Sequence, residues 1–365
     1  MARMLSLPQF RITKYGFIIG MLFTAILFNE WLMYVVKALR WPDITDIEED
    51  SVRVLIAADP QILSTDTEPH FPLNLLTTWD ADRFVSRGFH LAVWRTKPDI
   101  IIFLGDVMDD GSISNDNSFH QKVEHFKSLM YIPSYVKHTI YVPGDNDIGG
   151  EGPDKVTLHK VQRFYQEFNQ SYSVSYKFLE FTQMRVMDDY DGMPNFSEEE
   201  NTIRILLSHI PLLPITRKVI KEKISRHYPS FIFSGHEHDS FHFVATKKEL
   251  HAQEFWPLKA DGNVWVFDHS GHKLHEVTVP TCSYRMGKKS YGYGFAVIGK
   301  SGLVHYTVLW LPSRFSQLWM YLMCITAALF LILPNICMWM RHRLFSVCRS
   351  CLHYLCRKCP KYHSL

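Results

Sequence analysis

Apolar residues recur along this chain in three rhythms, and each predicts a different element. Residues 16–36 (GFIIGMLFTAILFNEWLMYVV) and 318–340 (LWMYLMCITAALFLILPNICMWM) are long apolar runs, the second without a charge. Each matches the roughly 20 residues that an α-helix needs to cross a bilayer. Between them lie short, β-branched apolar runs at 52–58 (VRVLIAA), 99–104 (DIIIFL), 139–142, 203–207 and 230–233. Continuous rather than alternating apolar character is what a strand buried on both faces requires. Residues 80–97 have helical spacing, with Phe84, Phe89, Leu91 and Val93 available for burial and Pro98 as the stop, and 119–130 predicts another helix. Strand and helix alternate, which predicts an α/β sheet. The strand-rich stretch after Val264 (VWVF, LHEVTV, YGFAVI, VHYTVLW) predicts a second sheet packed against the first.

Charge next to the two long runs gives an orientation. Arg3, Arg11 and Lys14 precede the first, while Arg341, Arg343, Arg349, Arg357 and Lys358 follow the second, so the positive-inside rule places both tails in the cytosol. The chain then divides into a cytosolic head (1–15), a transmembrane signal anchor (16–36), a linker (37–50), a lumenal domain (51–312), a transmembrane helix (318–340) and a cytosolic tail (341–365). Asn29 and Glu30 interrupt the first run, with Glu30 expected near the outer interface beside Trp31 and Tyr34, which suit an aromatic belt. A cleaved signal peptide is the competing reading, though no small-x-small site follows. Two N-x-S sequons, at Asn169 and Asn195, fall in the lumenal domain and are expected to carry glycan.

Lys plus Arg (39) nearly balances Asp plus Glu (37), so nothing in the overall charge calls for a nucleic-acid partner. Of the seven cysteines only Cys282 falls between the apolar runs, so no disulfide can staple the domain internally. Stability must come from core packing, to which a bound metal could add. Cys348, Cys351, Cys356 and Cys359 form two C-x-x-C pairs in the tail, open to three readings: palmitoylation, free thiols or metal.

The polar residues at the strand ends carry the chemistry. In order they are Asp59-x-Gln61, Gly105-Asp106, Gly144-Asp145-Asn146-Asp147, Ser208-His209 and Gly235-His236-Glu237-His238. An Asp after a strand is an ordinary loop starter and a single His an ordinary polar group, but five such blocks in sequence supply carboxylate and imidazole ligands for two ions. The series resembles the calcineurin-like metallophosphoesterase superfamily, whose pattern is D-x-H, G-D, G-N-H-D, a lone H, then G-H-x-H, over roughly residues 52–280. The fold this implies is a metallophosphoesterase β-sandwich flanked by helices, here with one transmembrane helix at each end. By the same resemblance Asp59, Gln61, Asp106 and His238 would hold one metal, and Asp106, Asp145, His209 and His236 the other. Asp109 and Asp147 would stand behind them, and Asp106, Asp145, Asn146 and His209 would be the catalytic group. Two divalent ions are implied as cofactors, Mn²⁺ first for a shell rich in hard oxygen donors, with Fe or Zn²⁺ as alternatives.

Three positions depart from the pattern. Gln61 replaces a histidine, and its amide oxygen can still coordinate. Asp145 replaces an asparagine and adds negative charge. Asn146 replaces the histidine that protonates the leaving oxygen, and an amide is no general acid at neutral pH. His70, His90 and His120 are the candidates for a substitute acid.

The whole-chain plan, with Ala58-Asp59-Pro60-Gln61, the block from Gly144 to Gly149 and that from Val279 to Arg285, looks like the GPI-remodelling branch of the superfamily. That resemblance implies a phosphodiesterase that removes ethanolamine-phosphate from the glycan of GPI-anchored proteins and so promotes their export from the endoplasmic reticulum. Tyr284 and Arg285, with Lys288 and Lys289, would meet phosphate or glycan, or else form a solvated basic loop. The expected partners are the membrane, GPI-anchored proteins as substrate, and cargo receptors and coat proteins through the tail. The expected location is endoplasmic reticulum exit sites, the intermediate compartment and cis-Golgi, with Lys361 and His363 as a retrieval signal. Two alternatives stay open: a weak or inactive protein of this fold that binds the glycan or a sorting partner, and a lumenal phosphodiesterase with another substrate.

Overall fold

The computed structural model describes residues 13–45, 48–64, 68–184, 202–259, 262–268, 271–334 and 338. Asn195, the tail cysteines, Lys361 and His363 lie outside them. The chain forms two compact units, Met1–Met33 with Arg314–Leu365, and Tyr34–Ser313.

In the first unit α1 (Lys14–Leu27) passes through a π turn (Phe28–Leu32) into α2 (Met33–Arg40), which carries the chain into the second unit. The continuous helix Lys14–Arg40 and the C-terminal helix Arg314–Pro334 are both long and apolar enough to cross a membrane, with mean hydropathies of 1.7 and 1.9. The polar residues that interrupt the first run meet partners on the second helix. Glu30 accepts from Arg314 Nη1 at 2.9 Å and from the Tyr321 hydroxyl at 2.8 Å. Asn29 and Gln317 exchange side-chain to backbone hydrogen bonds at 3.2 and 2.8 Å. Glu30, expected at a membrane interface, is buried instead, and so is Tyr34, which packs into the core of the second unit rather than joining an aromatic belt.

The second unit is a sandwich of two sheets. Its strands in chain order are β1 (Val52–Ala57), β2 (Ile100–Leu104), β3 (His138–Val142), β4 (Ser173–Tyr176), β5 (Leu179–Gln183), β6 (Ile203–Leu207), β7 (Phe231–Ser234), β8 (Phe241–Thr246), β9 (Glu254–Pro257), β10 (Trp265–Asp268), β11 (Lys273–Thr278), β12 (Gly292–Ile298) and β13 (Leu303–Trp310). One sheet runs β10-β13-β12-β1-β2-β3 and the other β4-β5-β6-β7-β11-β8-β9. The strand-rich C-terminal stretch does not make a sheet of its own. β10, β12 and β13 extend the first sheet beyond β1, while β11 inserts beside β7 in the second. Hydrophobic pattern gives a strand's burial but not its neighbour, which is why the sequence misplaced them.

Alternate residues explain the continuous apolar runs. Val54, Ile56, Ile100, Ile102 and Leu104 face the sandwich interior with Ile205, Leu207, Phe231 and Phe233. Leu55, Ala57, Ile101 and Phe103 face the other way, into a layer built by α3 (Leu73–Thr96), α4 (Asp116–Leu129) and, after the single turn α5 (Asp145–Ile148), α6 (Leu158–Phe168). α7 (Lys218–His227) covers the far face of the second sheet through Ile220 and Ile224. Fully burying each Val, Leu, Ile or Phe contributes about 1.5–3 kcal/mol, so both faces of these strands stabilise the fold. The chain enters and leaves this unit at one place, where the Trp41 indole donates to the Trp310 carbonyl at 2.9 Å.

Candidate metal centre

β1, β2 and β3 are parallel neighbours in one sheet, and β5, β6 and β7 in the other. Parallel strands bring their C-terminal ends to one edge, where α/β sheets place their ligand sites. The five polar blocks follow β1, β2, β3, β6 and β7, so the topology gathers them.

The loops are set by unusual backbone. Asp59, Gln61, Asp106, His236 and His238 all have positive φ, between 40° and 68°. Non-glycine residues there cost about 1–3 kcal/mol each and tend to cluster at functional sites. Neighbouring chain holds them in place: Gln61 N donates to the Asp106 carbonyl at 2.9 Å and Gly235 N to that of His209, also at 2.9 Å. Gly144 is required for a different reason, since a Cβ there would lie 2.1 Å from Asp106 Oδ1.

Asp145, His209 and His236 present ligand atoms within 4.8 Å of one another, and so do Asp59, Asp106 and His209. His209 Nε2 stands 2.9 Å from Asp145 Oδ1 and 3.4 Å from Asp106 Oδ1. His236 Nδ1 is 3.2 Å from the same Asp145 oxygen. His238 Nε2 faces Asp59 Oδ1 at 3.7 Å, and Gln61 Nε2 bridges the two sides, 3.0 Å from Asp106 Oδ2 and 3.5 Å from His238 Nε2. Asn146 donates twice to Asp106, from its backbone N to Oδ1 at 3.0 Å and from Nδ2 to Oδ2 at 3.2 Å.

Burial raises the Asp59 carboxyl to about 8, with Asp106 adding to the rise, and burial likewise lifts Asp106 above the usual carboxylate range. Burial pushes Asp145 the same way, but hydrogen bonds from His209 and His236 outweigh it and hold that carboxyl well below its ordinary value. His209 rises against its own burial because Asp106, Asp145 and Asp59 surround it, and His236 rises through its bond to Asp145. His238 is lowered to about 4 by burial, helped by the nearby Lys288 ammonium. Three carboxylates are enclosed together here, and Asp59 Oδ1 is buried without any hydrogen-bond partner. A buried carboxylate oxygen without a donor is costly unless a cation meets it. The mixed carboxylate, amide and imidazole donor set fits divalent transition metals.

Not every residue singled out from the sequence faces this floor. Asp147 is fully buried and accepts from Gly144 N at 2.9 Å and from Val107 N and Met108 N at 3.2 Å, tying two loops together. Asp109 contributes its backbone N–H to Ile62. Tyr284 is buried and its hydroxyl donates to Asp80 at 2.8 Å, whereas Arg285 pairs with Glu68 at 2.7 Å. His90 and His120 sit on exposed helix faces bonded to Ser86 and Glu167, and His70 is exposed two residues after Glu68. Sequence reasoning missed the role of Thr281, which fixes the loop by donating to the Asp59 carbonyl at 2.8 Å; Lys288, expected to meet phosphate or glycan, pairs with Asp239 beside His238. The Val279 to Arg285 block held the only signal for the former.

Comparison with known proteins follows the same lines. The family model for calcineurin-like phosphoesterases matches residues 52–240. Metallophosphoesterase 1 of Pongo abelii is 26% identical over 242 residues, covering 59% of this chain and 58% of its own length. The chain thus spans less than two thirds of that relative. Among solved structures, a metallophosphoesterase from Sphaerobacter thermophilus is 12% identical over 73% of this chain and 90% of that one, with a TM-score of 0.38. A purple acid phosphatase from yellow lupin (Lupinus luteus) is 11% identical over 72% of this chain and 52% of its own, with a TM-score of 0.44.

Proposed function

The chain belongs to the calcineurin-like phosphoesterase family, and from that premise we propose that it is a dinuclear-metal phosphodiesterase that removes ethanolamine-phosphate from the glycan of GPI-anchored proteins. The observation that carries the phosphoesterase reading is the convergence of Asp59, Asp106, Asp145, His209, His236 and His238 on one strand-end floor, with Asp59 Oδ1 buried and given no hydrogen-bond donor. Asp59, Gln61, Asp106 and His238 would hold one divalent ion, and Asp106, Asp145, His209 and His236 the other, with Mn²⁺ the first choice. When bound, such a pair supplies Lewis-acid polarisation of the phosphoryl oxygens.

The chain's own residues prepare that floor. The Leu104 carbonyl accepts a hydrogen bond from His209 Nδ1 at 2.7 Å, which turns Nε2 towards the carboxylates, where it meets Asp145 and could ligate a metal. The double contact from Asn146 fixes the orientation of Asp106. Arg285 and Lys288 are each engaged by a carboxylate, Glu68 and Asp239, so they would meet the anionic group of a phosphodiester only by exchanging those partners. The finer assignment to GPI glycan is supported by the resemblance of the 144–149 and 279–285 blocks to that branch. It is also supported by two apolar helices that would keep the domain where a lipid-anchored phosphodiester resides. Work in the early secretory pathway, between endoplasmic reticulum exit sites and the cis-Golgi, belongs to the same proposal, as does glycan at the exposed Asn169.

A second reading draws on Asn146. Its amide is committed to Asp106 and cannot protonate a leaving oxygen, so a protein that binds the glycan without cleaving it fits the same residues. One experiment separates the two. The full chain is purified in detergent, its metal counted, and GPI with ethanolamine-phosphate offered as substrate. Two ions per chain and release of ethanolamine-phosphate are expected, both lost in Asp106→Ala. Metal without any hydrolysis favours the binding protein, and cleavage of a generic diester but not of GPI overturns the substrate.

A further inference from the structure

The first two turns of α3 and the residues just before them leave five large apolar side chains in solvent. Phe71 is 77% exposed, Leu73 56%, Leu75 52%, Leu76 58% and Trp79 52%. The later turns of the same helix are ordinary core, burying Ala81, Phe84, Val85, Phe89, Ala92 and Val93. Scattered exposed leucines need no explanation, but a contiguous group marks an interaction surface. Leu76 and Trp79 are three apart and Leu75 and Trp79 four apart, so they adjoin on the helix surface. Arg83, four residues on, lays its guanidinium over the Trp79 ring at 4.4 Å from the centroid. Aliphatic anchors, an aromatic ring and an arginine together suit the boundary between lipid headgroups and acyl chains.

Two observations select lipid as the occupant. α2, the last turns of the first apolar helix, docks on α3: the Tyr34 ring lies 6.2 Å from that of Phe84 and 5.2 Å beneath the Arg87 guanidinium. α3 is therefore the element that receives the chain as it comes from a membrane-crossing length of helix. The ridge is also joined to the metal centre. Asp80, one residue past Trp79, accepts the Tyr284 hydroxyl, Glu68 holds Arg285, and Thr281 of the same loop holds Asp59.

We propose that the face formed by Phe71, Leu73, Leu75, Leu76 and Trp79 inserts into the surface of the bilayer that anchors the chain, and thereby presents the metal centre to lipid-borne phosphodiesters. The lipid contact stands by itself, while the substrate half rests on the phosphodiesterase reading above.

The test uses the full chain in vesicles of phosphatidylcholine and phosphatidylethanolamine. A photoreactive benzoylphenylalanine replacing Leu76 should cross-link to phospholipid. Cross-linking to a second copy of the chain, or to neither, overturns the proposal. In parallel, Leu73→Glu with Leu76→Glu should lower turnover of GPI held in the vesicles by about tenfold or more, equivalent to about 1.4 kcal/mol. Turnover of soluble bis(4-nitrophenyl) phosphate should stay within about twofold of wild type. Equal loss on both esters means a misfolded variant, and then the cross-link decides. Undiminished turnover in the bilayer overturns the proposal. A wild type that cleaves neither ester refutes the phosphodiesterase reading and leaves the cross-link as the test of lipid contact.

Discussion

Gly105 lies against the imidazole of His209 so closely that a Cβ on it would stand 2.3 Å from Nδ1 and 2.7 Å from Cγ of the ring. The same glycine has φ +88°, where L side chains are strained. Gly105→Ala should therefore displace His209 from the Leu104 carbonyl as well as strain the turn. Overpacking of this kind costs about 1–3 kcal/mol, and disturbing a ligand's outer partner typically costs about 10–100-fold in metal affinity. A metal titration of the variant followed by calorimetry reads this directly, and wild-type affinity would show that His209 is no ligand.

Asn146 offers a gain rather than a loss. If the site hydrolyses without its usual acid, Asn146→His should raise turnover, by up to about 10²–10⁴-fold where protonation of the leaving oxygen limits the rate. The gain should be largest for esters with poor leaving groups and absent for 4-nitrophenyl esters, whose leaving oxygen needs no proton. A variant slower than wild type on both kinds would mean that another residue already supplies the acid.

A third expectation concerns pH and a carboxylate away from the metals. Glu276 is fully buried on β11 and accepts from the backbone N–H groups of Leu212 and Leu213 at 2.8 and 2.7 Å. Burial outweighs those bonds and raises the carboxyl to about 7. The folded form thus holds a proton that the unfolded chain releases near 4.5. Stability from this group is full below about 4.5 and is lost as pH rises towards 7, to the extent of about 3 kcal/mol. Glu276→Gln should remove that slope. Melting temperatures of variant and wild type at matched metal content, measured between pH 5 and 8, should diverge in the variant's favour as pH rises, and parallel curves would defeat the claim.

The ion pair of Glu30 with Arg314 sits between two apolar helices, so each charge depends on the other. Removing one partner by Arg314→Met should cost about 3–5 kcal/mol, whereas Glu30→Gln with Arg314→Met should cost much less, because no uncompensated charge remains. Thermal unfolding of the four proteins in one detergent completes the double-mutant cycle. A double variant as unstable as the sum of the singles would indicate that the two charges act independently.

How far the sequence could be read follows from the range of each interaction. The apolar runs that become β1, β2, β3, β6 and β7 were legible because burial on both faces leaves a local mark, and the polar blocks were legible because they come directly after those runs. Their ordering around one floor was legible only through resemblance. The positive φ of Asp59, Gln61, Asp106, His236 and His238 left no trace, since nothing in an Asp or His announces a left-handed turn that its neighbours impose. Long-range pairings were equally silent. Glu30 was read as an interfacial charge because its partner lies 284 positions away, and Tyr284 as a substrate contact because Asp80 is 204 away. α3 was started seven residues late, at 80 rather than Leu73, because its first turns carry apolar residues on the outside.

The bond between Trp41 and Trp310 makes the domain a closed circuit, with 268 residues looping out from and back to a single doorway. A pull on the chain at that doorway meets the indole and the end of β13 together, because Trp310 is the last residue of the strand. A lobe cut free at its two tryptophans would leave part of its own interior behind, since Tyr34 and Ala38, just before the doorway, are packed into its core.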